Sequence, residues 1–153
     1  MFEGILSLFR GTATPSETPL PPADVQHALG ALLIRAAKAD HAYLFEEIDQ
    51  IDDVLAARYD LNPVEAAKLR ASCEKLEEAM PDTAELAGIL HDAIDPVERE
   101  ATVAAMWSVV FADGIEEEEE DKLLHEVEAI LGVSPDVSKR LHDQAMNARQ
   151  RGS

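Results

Sequence analysis

The sequence predicts an all-α fold, a single-domain bundle of about seven helices with an internal pseudo-two-fold repeat. Three observations predict it. Apolar residues recur at spacings of three and four along most of the chain, and no β-branched run reaches strand length. Capping residues and helix-starting prolines punctuate that pattern at regular points. Finally, one segment occurs twice: residues 38–47 read KADHAYLFEE and residues 111–120 read FADGIEEEEE.

The elements follow in order. Residues 1–10 form an apolar N-terminal segment, read as a helical turn or two, with Glu3 inside it and no basic leader or small-residue cleavage site. Residues 11–22 hold four of the eight prolines and no apolar period, which makes them a linker. The helical domain is expected over 23–148, with a short tail at 149–153. Asp24 caps a first helix whose Val25, Ala28, Leu29, Leu32 and Ala36 make one stripe, ending near Ala39-Asp40. The second carries Leu44, Ile48, Ile51 and Leu55, and Asn62-Pro63 both stops it and opens the third. Ala66, Leu69, Cys73, Leu76 and Met80 continue to Pro81, and Thr83 is expected to cap a shorter helix through Ile94. Asp95-Pro96-Val97-Glu98 has the form of a capping box, and the run from Ala101 to Ala112 is apolar on nearly every side. A helix of that kind belongs in the centre of a bundle, with Trp107 as its anchor. Leu123, Leu124, Val127, Ile130 and Leu131 mark the next helix. Ser134-Pro135 starts the last, with Val137, Leu141 and Ala145 inward and a fraying end at NARQRGS.

Composition narrows the function. At 153 residues the chain can bury a core without staples. Its net charge of −18 disfavours nucleic acid and anionic lipid as partners and favours cations or basic proteins. The lone Cys73 cannot form an intrachain disulfide and reads as a small buried hydrophobe. No run approaches the ~20 apolar residues of a membrane span, so the chain is not expected to be an integral membrane protein, while peripheral association stays open. The expected location is the cytoplasm. There is no phosphate loop, paired-cysteine motif or nucleophile with a base, and His27, His91, His125 and His142 are scattered. The expectation is therefore not an enzyme.

The repeated segment carries the chemistry. In each copy a glutamate follows an aspartate by seven residues, giving Asp40 with Glu47 and Asp113 with Glu120. From aspartate to the next helix-starting proline the spacing is 23 residues in the first copy and 22 in the second. Gly114 suits a left-handed helix end, after which Glu116 to Glu120 are expected to form the first turn of the next helix. Asp113 sits instead at a helix C-terminus, where an uncompensated anion costs up to ~1 kcal/mol. A divalent cation bridging Asp113 and Glu120 would relieve it, and Ca²⁺ or Mg²⁺ suit carboxylate and carbonyl oxygens. Glu117 to Glu119 are read as a solvated face, as are Asp49, Asp52 and Asp53. His41 stands where the second copy has glycine, and its nitrogen would suit a softer metal.

These residues resemble a known family. The Ala-Asp-Gly-x5-Glu element leading to Leu131-Gly132-Val133-Ser134 resembles the TerB-like family, named for tellurite resistance. So does Arg99 followed by Met106-Trp107-Ser108-Val109-Val110-Phe111-Ala112-Asp113-Gly114. Leu33-Ile34-Arg35-Ala36-Ala37-Lys38-Ala39-Asp40 looks like the family's leading copy, with one extra residue before Leu61-Asn62-Pro63. The likeness spans roughly residues 25–146. It implies an all-helical bundle with an acidic divalent-metal site, which by position falls on Asp40, Glu47, Asp113 and Glu120. It further implies a link to tellurite or other stress resistance and to membrane-associated assemblies, with an unidentified protein partner. The competing expectation is a metal-independent acidic interaction domain.

Overall fold

The computed structural model describes residues 23–39 and 42–151, in which seven α-helices and one 3₁₀ turn follow one another. The expected N-terminal segment, the linker, and Asp40 and His41 lie outside the described residues. The helices are α1 (Val25–Lys38), α2 (Phe45–Tyr59), α3 (Pro63–Ala79), α4 (Thr83–Ala93), α5 (Pro96–Val110), α6 (Glu118–Leu131) and α7 (Pro135–Arg151). The 3₁₀ turn, Phe111–Asp113, joins α5 to the loop before α6. No strand occurs among the described residues, and no helix there is long and apolar enough to cross a membrane.

The predicted punctuation sets most boundaries. Asn62 and Asp95 each accept a hydrogen bond from the N–H three residues on, at 2.8 and 2.9 Å, with Pro63 and Pro96 at the first helical position. Gly132 closes α6 in the left-handed region, at φ +78°. Two ends differ from expectation. Asp82, not Thr83, caps α4, because its carboxylate reaches the Ala84 N–H at 2.9 Å and leaves Thr83 as the first helical residue. The last helix also persists to Arg151 instead of fraying at Asn147, extended by residues that favour helix without needing burial.

The repeat is visible in the packing. In the first half α1 lies against α3 and α2; in the second α5 lies against α7 and α6, and α4 bridges α1 to α6. Trp107 is buried on α5, but α5 shares the centre with α1. Instead of one stripe, α1 buries Ala28 through Ile34 without a break, together with Ala36 and Ala37. Small residues make this possible. A Cβ on Gly30 would come within 2.2 Å of Cys73 Sγ, so α3 approaches α1 as closely as a glycine allows.

Arg35 ties this seam to the end of α3. Its guanidinium donates to Glu77 Oε2 at 3.1 Å, to the Glu77 carbonyl at 2.8 Å, and to the carbonyls of Met80 and Pro81. A cation thus occupies the negative end of the helix and satisfies carbonyls that have no helical partner. Asp52 also departs from its expected wet face: half-buried, it accepts from Arg70 at 2.6 Å and clasps α2 to α3.

Candidate functional site

Glu47 and Glu120 are the third residues of α2 and α6, and both are fully buried. Glu47 Oε1 accepts from the Leu44 N–H at 3.0 Å, and Glu120 Oε1 from the Glu117 N–H at 2.9 Å. Each makes the returning half of a capping box, the other half being absent because neither Leu44 nor Glu117 bonds the helix start through its side chain, and this explains a glutamate at this place in each copy without recourse to a ligand. Their complete burial is harder to explain by capping alone, since a carboxylate can bond the same N–H from the surface. Asp113 ends the 3₁₀ turn, half-buried, and its Oδ1 accepts from the Ile115 N–H at 2.9 Å. Gly114 follows at φ +83°, the left-handed conformation expected there.

The helix after the second turn starts later than expected. Glu117 caps α6 and Glu118 is its first residue, which leaves Glu116 in the loop. The two copies meet: α2 packs against the Phe111–Asp113 turn, and Gln50 Nε2 donates to Ser108 Oγ at 3.2 Å. Residues flanking the first turn and residues of the second therefore share one region of the surface. Among the described residues no group of three His, Cys, Asp or Glu is arranged to hold a metal. Glu47, Asp113 and Glu120, the three expected ligands that are described, are thus not gathered into such a group, and Asp40, the fourth, lies outside the described residues.

A second site was not apparent from sequence. A cleft of about 500 Å³ opens between α5, α6 and α7, with Trp107 and Val133 among its apolar walls. His142 on α7 reaches across it to Glu116 Oε1 with Nε2, at 2.9 Å, while Nδ1 meets Asp143 Oδ1, also at 2.9 Å. Its ring stands edge-on to Trp107, with centroids 4.7 Å apart and planes at 88°. Burial works against a charged His142, but the hydrogen bonds to Glu116 and Asp143 prevail and raise its pKa above 6.5. Burial likewise opposes the Glu116 carboxylate, which hydrogen bonds from Asp121 and His142 hold below its ordinary range. Burial and the adjoining Glu116 push Asp121 up to about 6.

Glu128 is a buried part of the cleft wall. Its residue is 5% exposed, the Ser138 hydroxyl donates to Oε2, and burial raises its pKa. The only sequence signal for this cleft was the family of polar residues on α6 and α7 that helical spacing assigns to the wet face.

The domain as a whole has known relatives at the level of family. The family model described as tellurite resistance protein TerB matches residues 26–143. The chain belongs to the TerB family. The TerB match begins in α1 and ends in α7, so both acidic turns and the cleft fall within it. No curated protein and no solved structure matches the chain.

Proposed function

We propose that this TerB-family domain binds a divalent cation at its repeated acidic turns and belongs to a response to tellurite or another stress. Asp113 and Glu120 would hold the ion, with Asp40 and Glu47 completing the set from the first copy. The observation that carries this reading is the pair of fully buried carboxylates, Glu47 and Glu120, at equivalent positions of the two repeated segments. A divalent cation would add positive charge beside two buried carboxylates, where low-dielectric surroundings strengthen the attraction. The donor set fits a hard ion, Ca²⁺ or Mg²⁺, since every candidate is a carboxylate and the 3₁₀ turn adds backbone carbonyls. When bound, the ion would supply charge neutralisation and link the two halves. In this reading the domain is not an enzyme, works in the cytoplasm, and passes the ion signal to a protein partner.

The test is thermal melting of EDTA-stripped protein titrated with Ca²⁺, Mg²⁺, Mn²⁺ and Zn²⁺. An ion that binds only the folded state stabilises it by about 2.7 kcal/mol at a hundred times its dissociation constant. A saturable rise in Tm with one ion, lost in Asp113→Asn/Glu120→Gln, is the expected result. A flat response to all four ions, or a rise unchanged in the double variant, defeats the reading.

One observation favours a metal-independent interaction domain instead. Phe45 is 71% exposed and Ile115 57% exposed, each in the segment entering a repeated turn. An apolar pair beside an acidic surface would suit a basic, amphipathic partner. A partner retained in EDTA and lost on Phe45→Ser would support this alternative.

A further inference from the structure

We propose that the cleft between α5, α6 and α7 binds an organic cation, an ammonium or guanidinium group carried on an apolar stem. The site adjoins the second acidic turn through Glu116 and Asp121 but uses none of the four carboxylates proposed to hold the metal.

Glu128 is the anchor. It is almost completely buried and, among the described residues, forms no ion pair and receives one hydrogen bond, from Ser138 to Oε2. Its Oε1 has no hydrogen-bond partner among the described residues and is not among the atoms sealed from solvent, so it opens on the cleft. Buried carboxylates are ordinarily paired; His125, Lys139 and His142 also line the cleft, and none of them forms an ion pair with Glu128 among the described residues.

Trp107 supplies the second observation. The residue is 2% exposed and lines the cleft, yet its indole Nε1 makes no hydrogen bond among the described residues. Burial raises the Glu128 pKa, and the Trp107 N–H lies near enough to oppose that rise together with His125. Asp121 adds a third unmatched atom: Oδ1 is sealed from bulk water without a partner.

The ligand class follows from what surrounds these atoms. A compact metal ion needs several oxygens converging on one point, and no group of three among the described residues does so. The acids are spread instead around a cleft whose accessible surface is mainly apolar, with Trp107 and Val133 in its walls. An alkylammonium or alkylguanidinium matches that distribution. Its N–H groups can reach Glu128, the Asp121 carboxylate adds attraction nearby, and its methylenes can lie along the indole. The net charge of −18 adds long-range attraction for such a ligand.

Trp107 is the only tryptophan, so its fluorescence reports this cleft directly. The full chain is titrated with agmatine in EDTA at constant ionic strength, with n-butanol as the neutral probe. A saturable fluorescence change with agmatine and none with butanol is expected. Glu128→Gln should weaken it about tenfold or more, as loss of one partner of a buried charged contact does. Glu126→Gln, an exposed neighbour with the same charge change, should leave it unaltered. If Glu128→Gln does not fold, Asp121→Asn serves in its place, with a clear loss of affinity expected. A short arginine- and lysine-containing peptide then distinguishes the source. Displacement of agmatine by the peptide points to a basic segment of a partner protein, and saturation by agmatine alone points to a free amine; both support the site. A linear response, an equal response to butanol, or equal affinities in the Glu126 and Glu128 variants overturns the proposal. Because EDTA is present throughout, neither result bears on divalent-ion binding at the turns.

Discussion

Glu47 and Glu120, 73 residues apart, are buried to the same extent and bond in the same way to the N–H of the residue that opens their helix. That equivalence separates two contributions which sequence alone runs together: closing a helix start and presenting a carboxylate to an ion.

The capping contribution is measurable in EDTA. Glu47→Ala and Glu120→Ala should each lose about 1–2 kcal/mol of stability, combining an unmade hydrogen bond with a small cavity. The conservative Gln variants should lose less, since an amide oxygen can still accept from the same N–H. Chemical denaturation of the parent and the four single variants checks this.

Gly30 should not tolerate a methyl group. Gly30→Ala drives a Cβ into Cys73 Sγ, and a loss of about 1–3 kcal/mol is expected from overpacking. Shortening Cys73 to Gly in the same chain should restore part of that loss, because both Sγ and Cβ of Cys73 crowd the site. Additive losses in the double variant would show that the two residues do not clash.

Arg35→Met keeps much of the stem and removes the guanidinium. It should cost about 2–3 kcal/mol, because Glu77 loses a charged partner and the end of α3 loses its donors. Lysine should rescue little, since a single ammonium cannot span the carbonyls that the planar fork reaches. Denaturation midpoints of the three proteins decide it.

His142 should make stability pH-dependent. Its folded-state pKa is raised above 6.5, so its contribution is complete below the unfolded value and fades as pH rises through the folded one. Melting temperature should therefore fall over that interval in the parent protein. His142→Asn should flatten this part of the profile and lower stability chiefly at the acid end. An unchanged slope in the variant would remove His142 as its source.

Much of the fold was legible because its signals are local. Asn62-Pro63, Asp95-Pro96 and Gly132 act within one turn of themselves, and each ended or opened a helix where expected. The matching starts of α2 and α6 were legible because the segment leading into them occurs twice. The cleft was not, since Trp107, Glu128 and His142 come from three helices, and periodicity gives the faces of a helix without saying which faces meet. Asp52 was misread for the same reason: its partner Arg70 lies on another helix. The full burial of α1 was hidden by its small residues, whose weak hydrophobic signal conceals how closely neighbours can approach.

The Gly30–Cys73 seam also gives the protein a natural gauge. Cys73 is the only cysteine, fully buried, and burial pushes its thiol up to about 12. A thiol so protonated and so enclosed does not react with an alkylating reagent while α1 and α3 remain together. The rate at which Cys73 is labelled therefore counts how often that seam parts, and it does so in the unmodified chain, with no probe introduced.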